Sequence, residues 1–213
     1  MAVETHSTSS GPAPRETKRR ANETRSRILD IGERLVQVRG FNGFSYADIA
    51  AELGITKASL HYHFPSKAEL GEALIARYGE RFAGALAEID AQGLNAPGTL
   101  LAYASLYAAV LREDRMCLCG MLAAEYETLP MPIRDAVVNF LDDNEIWLER
   151  VLERGHEDRS LRFDGSARET ARSILSGLEG TMLVARSYGE IERFETGASQ
   201  LLASLAGIER QPT

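Results

Sequence analysis

Cysteine is nearly absent: Cys117 and Cys119 are the only two in 213 residues. So sparse a set excludes a disulfide scaffold and suits a reducing, cytoplasmic compartment. With only four histidines, no third ligand joins the Cys-x-Cys pair at a metal-site spacing, so neither a metal nor a cofactor is expected. Long apolar runs are also missing. None approaches the roughly 18 residues of a membrane span. Residues Met1 to Pro14 are rich in Ser, Thr and Pro and lack the apolar stretch of a secretory signal. No membrane partner is therefore expected. Strand-type alternation and internal repeats are absent as well.

What the chain has is helical periodicity and, at 44% hydrophobic residues, enough apolar content for one large or two modest domains. Ile28, Ile31, Leu35 and Val38 recur at three- to four-residue spacing and predict a first helix over Thr24 to Arg39. Leu70, Leu74, Tyr78, Phe82 and Leu86 predict a long helix from Lys67 to about Asp90. Further helices are predicted over 99–114, 119–129, 133–154, 166–188 and 191–207, broken by Pro130, Pro132 and polar loops. The fold class is all-α, with about nine helices. Residues 1–22 read as a disordered basic arm, 23–68 as a small three-helix domain, and 69–213 as a larger helical domain.

The segment from Ser45 to Lys67 carries the chemistry. Ser45 is an N-cap type with Asp48 three residues on, close to a capping box. Ile49, Ala50 and Leu53 share a face, Gly54 supplies a residue that tolerates positive φ, and Thr56 is placed to cap the next helix. There Leu60 and Phe64 lie on one face; Ala58, Ser59 and Tyr62 lie roughly opposite, flanked by Lys57 and His61. A core-only helix has no need of that surface. Lys57 can donate to guanine or phosphate, the Ala58 methyl can touch thymine, and Ser59 can bond either base or phosphate. Tyr62, His63 and Lys67 suit phosphate oxygens, which set register without reading sequence. Ser45, Tyr46 and His61 complete the candidate DNA-contacting set. The competing reading is a small helical hairpin with a solvated polar face.

The segment resembles the DNA-binding domain of the TetR family of bacterial repressors. The residues that carry the likeness are Ile49-Ala50, Gly54, Thr56-Lys57-Ala58-Ser59, Leu60-His61-Tyr62-His63-Phe64 and Ser66-Lys67. They fall within about residues 24–70; the remainder is similar only in length and helical texture. His61 stands where the family most often has Tyr. The resemblance implies a homodimer whose two heads meet a palindromic duplex, and a body that holds a small-molecule inducer. Two heads one DNA turn apart would be about 34–36 Å from each other.

The formal net charge of −7 is unusual for a DNA binder, but it is unevenly distributed. Residues 1–65 hold nine Lys and Arg against seven Asp and Glu. Residues 15–27 alone hold six basic side chains (Arg15, Lys18, Arg19, Arg20, Arg25 and Arg27) against Glu16 and Glu23. Basic charge is thus focused where an arm would approach phosphates. A solvated tail is the equal alternative for Arg15 to Arg20.

In the body, Tyr103, Tyr107, Met121, Tyr126, Phe140, Trp147 and Met182 are of the types that line apolar pockets, with Glu125, Glu179 and Arg186 as polar anchors; ordinary core packing or surface charge is the alternative. Ile174, Gly177, Leu178, Thr181, Met182 and Ala185 form a mixed small and apolar stripe, matched by Leu201, Leu202, Leu205 and Ile208. The family resemblance makes Ile174, Gly177, Leu178, Thr181, Leu201 and Leu205 the candidate dimer contacts.

The run from Cys117 to Glu125 resembles the Cys-Leu-x-x-x-Leu-x-x-Glu stretch of a TetR subgroup in which some members sense electrophiles or oxidants. Cys117 is accordingly both a pocket residue and a candidate sensor thiol. A helix N-terminus with Arg112 and Arg115 nearby would favour its thiolate; an inert, buried cysteine is the opposing reading. The leading function is a homodimeric repressor released from its operator by an unknown inducer. A thiol-triggered repressor is second. A helical enzyme with a nucleophilic cysteine ranks below both, because two of the four histidines fall in the DNA motif and no Cys-His-acid arrangement stands out. A protein-interaction module with a relic head is the remaining alternative.

Overall fold

Capping residues and apolar periodicity produce a chain that is helical wherever it is regular. The computed structural model describes residues 14–205, and all the regular structure among them is helical. The head comprises α1 (Pro14–Arg39), α2 (Tyr46–Leu53) and α3 (Lys57–His63); α4 (Lys67–Ala91) leads out of it. The body adds α5 (Ala96–Leu111), α6 (Leu118–Ala124), α7 (Met131–Glu157), α8 (Ala167–Tyr188) and α9 (Ile191–Ala203), with a 3-10 turn at Tyr126–Thr128.

The first helix begins earlier than expected. A disordered arm over residues 1–22 is contradicted from Pro14 onward, where α1 already runs. Proline is at home in the first turn of a helix, and Glu16 pairs with Arg20 one turn on at 2.6 Å. Residues 1–13, and the side chain of Arg15, lie outside the described residues, as do Gly207 and Ile208 at the other end.

The head closes over Ile28, Leu35 and Val36 of α1, Phe41 and Phe44 of the following loop, Ile49, Leu60 and Phe64, and Leu70 and Leu74 of α4, all buried. Val38, expected inward, is exposed, because the buried stripe passes through Val36. Gly54 ends α2 at φ +67°, and Ile55 N–H returns to Ala50 O at 3.0 Å, which satisfies a terminal carbonyl.

Several polar groups in the body core are paired with one another. Tyr103 and Tyr107, one turn apart on α5, are fully buried with their hydroxyls 2.9 Å apart. Tyr103 also donates to Asn144 Oδ1 at 3.1 Å, and Asn144 Nδ2 donates to Phe140 O at 2.8 Å. Trp147 Nε1 donates to Asp90 Oδ2 at 2.9 Å. Such pairing removes the cost of burying these atoms.

Candidate nucleic-acid interface

The second helix of the pair is set by its caps. Thr56 accepts Ser59 N–H at 3.1 Å, opening α3, and the Asp48 carboxylate accepts both the N–H and the hydroxyl of Ser45 at 2.7 Å, opening α2. Those bonds hold the Asp48 carboxyl below its usual range. With Leu60 and Phe64 turned into the core, Lys57, Ala58, His61 and Tyr62 are left exposed, and Tyr62 is 79% accessible. The side of α3 turned away from the core is therefore solvent-facing and carries one large aromatic side chain. Ser45 is exposed beside it, whereas Ser59 and His63 are half-buried.

Around this face several candidates hold the scaffold. Tyr46 is half-buried; its hydroxyl donates to Phe64 O at 2.9 Å and its ring lies 4.8 Å from that of His61. Burial, with Glu69 nearby, pushes the Tyr46 hydroxyl up to about 12. His61 Nδ1 is 3.1 Å from Pro65 O, so the ring is anchored at one nitrogen. His63 is pulled below the usual imidazole value by burial and by Arg25. Arg25 lies over the Phe64 ring at 4.8 Å, which brings one cation of the basic run to the end of α3.

Lys67 departs from its expected role. Its ammonium donates to Phe41 O and Phe44 O and sits over both rings, 4.6 and 4.2 Å from the centroids. Burial lowers its pKa, opposed by the carboxylates of Glu125 and Asp48. The lysine thus ties the α1–α2 loop to the start of α4, and its charge is directed inward.

Two other polar residues, expected as ligand anchors, join head and body instead. Glu125, at the end of α6, accepts Phe41 N–H at 2.5 Å and Asn42 N–H at 3.2 Å. Arg186 of α8 donates to Gln37 O at 2.8 Å and Val38 O at 2.6 Å, satisfying carbonyls at the C-terminus of α1. Charge–dipole attraction favours a cation there. Arg77 of α4 adds pairs with Asp30 at 2.7 Å and Glu33 at 3.0 Å. These contacts tie the second half of α1 and the loop after it to α4, α6 and α8.

Cys117 is placed at the start of α6, but the expected thiolate is disfavoured. The side chain is buried at 1% exposure. Burial first, then the neighbouring Glu179 carboxyl, push its pKa well above the usual thiol range; the opening turn of α6, through Gly120 N–H, lowers it too little to compensate. Arg112 and Arg115 pair elsewhere, with Glu195 and Glu113. Cys119 is also free and buried. Among the described residues no group of three His, Cys, Asp or Glu side chains could hold a metal ion.

Of the residues expected to line a pocket, Phe140 faces a cleft. This opening of about 490 Å³ between α4 and α7 is floored by Ile75, Phe82, Leu86 and Phe140 and rimmed by Glu72, Glu80 and Asp143. Tyr103, Tyr107, Trp147 and Met182 are packed in the core, and Met121 and Tyr126 are half-buried near Arg186 and Arg134. Apolar composition identified buried residues without distinguishing a wall from a filling.

The candidate dimer stripe is out of phase. Ile174 and Leu178 are buried within the protomer, which corrects their assignment to an interface, and Leu201 packs against Gly177 in the same chain. Leu205 is half-buried, its carbonyl accepting Arg162 N–H. The outward face of α8 instead presents Leu183 and Val184, each more than half exposed, and Gly180, beside which nothing lies within 4 Å. Thr181 borders the shallow groove between α8 and α9 next to them. A helix with apolar residues on two faces leaves the choice of which face is buried to tertiary packing.

Residues 28–74 match the family described as "Bacterial regulatory proteins, tetR family", and residues 98–201 match a "Tetracyclin repressor-like, C-terminal domain". Over 199 residues the chain is 26% identical to the HTH-type transcriptional repressor NemR of Escherichia coli (strain K12), across 89% of this chain and 98% of that protein. A TetR-family regulator from Agrobacterium tumefaciens superposes with a TM-score of 0.85 at 30% identity, covering 88% of this chain and 100% of that one. A TetR regulator from Legionella pneumophila does so at 0.78 and 33%, covering 85% and 97%. A three-helix head whose third helix shows a face to solvent, carried on a helical body, defines a helix-turn-helix DNA-binding transcriptional regulator. The chain belongs to the TetR family of bacterial regulatory proteins.

Proposed function

We propose that the protein is a homodimeric repressor that grips a palindromic operator and releases it when a small molecule enters the body. The exposed face of α3, with Lys57, Ala58 and Tyr62 directed away from a sealed core, is the observation that carries this reading. Lys57 and Ala58 meet base edges, joined by Ser59 at the margin; Tyr62, with Arg25 and His63 behind it, meets the phosphates. The outward strip of α8 pairs with its copy, since a monomer gains nothing by exposing Leu183 and Val184 together. Such a protein acts where the chromosome is, in the bacterial cytoplasm.

Release follows from linkage. Glu125 and Arg186 attach the head to α6 and α8, so a ligand that moves these helices changes the separation of the two heads. A shift from mostly bound to mostly free needs a differential affinity of about 5 kcal/mol. The cleft between α4 and α7 is of ligand size. Selection from a random duplex library, followed by a gel shift at moderate salt, tests the reading. An inverted-repeat site bound by one dimer is the expected result, and Lys57→Ala should weaken that site by about 1–3 kcal/mol. A protein that enriches no duplex is not a repressor.

A further inference from the structure

Glu179 of α8 is a carboxyl without a counter-charge. Its Oε1 is sealed from solvent and has no hydrogen-bond partner. Its other contacts are with Cys117 and with the opening turn of α6, which approaches so closely that a Cβ at Gly120 would overlap Glu179 Oε2. No arginine or lysine pairs with it among the described residues; Arg186, two turns along the same helix, is committed to α1. A buried acid in this state costs stability and needs a reason to be there.

The surroundings point to the missing partner. Tyr78 Oη lies 3.8 Å from Cys117 Sγ, and the Tyr78 ring contacts Phe82 and Phe140 at 6.2 and 5.6 Å between centroids. Phe82 and Phe140 are in turn the floor of the α4–α7 cleft, whose rim carries Glu72, Glu80 and Asp143 and no basic side chain. Between that cleft and Glu179 lie, in order of contact, the Phe82 and Phe140 rings, then Tyr78 and Cys117. The carboxylates at the rim and the aromatic rings behind them favour a cation over an anion, and Glu179 Oε1 offers an unused acceptor. The half-buried Phe82 is the ring at the solvent side of the layer, so it is the one a ligand displaces.

We infer that Glu179 is the anchor for a protonated organic amine on an apolar frame, which enters through the α4–α7 cleft and donates an N–H to Glu179 Oε1. This rests on the reading of the body as a ligand-responsive domain and names the class of ligand. The free oxygen asks for a donor, so a primary ammonium fits where a quaternary one does not. Burial raises the Glu179 pKa in the free protein. Binding balances as a neutral carboxyl losing its proton to buffer while the ammonium keeps its own.

Calorimetry on the full chain tests this with two matched pairs: 4-phenylbutylamine against 4-phenylbutanol, and 1-adamantylamine against 1-adamantanol. At least one amine should bind about tenfold or more tighter than its alcohol, the scale of a charged hydrogen bond. That advantage should vanish in Glu179→Gln and for the N-trimethyl form of the same amine. Equal affinities within both pairs, no binding by either amine, or an advantage that survives Glu179→Gln overturns the assignment. The wild-type comparison stands even if the variant misfolds. Operator binding is scored separately in an amine-free gel shift, so its absence counts against the repressor reading while calorimetry still decides the role of Glu179.

Discussion

Glu125 and Phe41 lie 84 positions apart in sequence, yet the Glu125 carboxylate accepts the Phe41 backbone N–H at 2.5 Å. The bond joins the last turn of α6 to the loop that opens the helix-turn-helix, and Asn42 strengthens it through its N–H and through Nδ2 to Thr128 Oγ1 at 2.7 Å. Glu125→Ala leaves two backbone donors without their acceptor and should lower stability by about 1–3 kcal/mol, measured by urea unfolding. Glu125→Gln keeps an acceptor and should lose less. If the bond also transmits the switch, Glu125→Ala should bind operator but respond more weakly to an inducer; full response in that variant assigns Glu125 to stability alone.

Lys67 and Tyr62 sort oppositely between stability and DNA binding. Lys67→Met removes the donor shared by Phe41 O and Phe44 O, and should destabilise the head by about 1–3 kcal/mol without changing the salt slope of operator binding. Tyr62→Phe removes an exposed hydroxyl, so the melting curve should hold while operator affinity falls about fivefold. A shallower salt dependence in Lys67→Met would return Lys67 to the phosphate contacts.

Cys117 should react slowly in the native state. N-ethylmaleimide labelling followed by mass spectrometry is expected to be on the order of 100-fold slower than in denaturant, because both access and thiolate are lacking. The sign of the pH effect follows from the raised pKa of Cys117 and Cys119. The unfolded thiols ionise first, so this contribution to stability is complete below the usual thiol range and declines as pH rises through it toward the folded values. Urea midpoints taken at increasing pH, compared with Cys117→Ala/Cys119→Ala, should show the decline steeper in the parent. Rapid labelling of the folded protein at neutral pH would revive the sensor thiol.

Val184→Asp tests the outward face of α8. A carboxylate buried against a copy of itself should weaken self-association about 100-fold or more while leaving the protomer folded. Sedimentation should then report a monomer, with operator affinity lost in parallel. Ile174→Ala, by contrast, should melt at lower temperature with no selective effect on association, since Ile174 is internal. A Val184→Asp protein that remains dimeric places the interface elsewhere.

The head was legible in the sequence because its determinants are local. Ser45 with Asp48, Gly54, Thr56 and the Leu60–Phe64 spacing act within one or two turns, so caps, turn and exposed face could be read from neighbours in the chain. Element boundaries held less well where a distant or weak signal decided them. Asn95 caps Gly98 N–H at 2.9 Å and starts α5 before the expected Thr99, and α1 runs back to Pro14 through a segment that composition alone marked as a tail.

What the sequence by itself determined is the helical class, the helix-turn-helix and the side chains α3 shows to solvent, since helix periodicity and capping are properties of adjacent residues. Tertiary structure alone decided where the charges and thiols act. Arg186 meets Gln37 across 149 positions, Lys67 turns toward Phe41 and Phe44, and Glu179 lies beside Cys117. Burial, protonation and the choice between two apolar faces depend on which distant elements exclude water, and that is settled only when the helices pack.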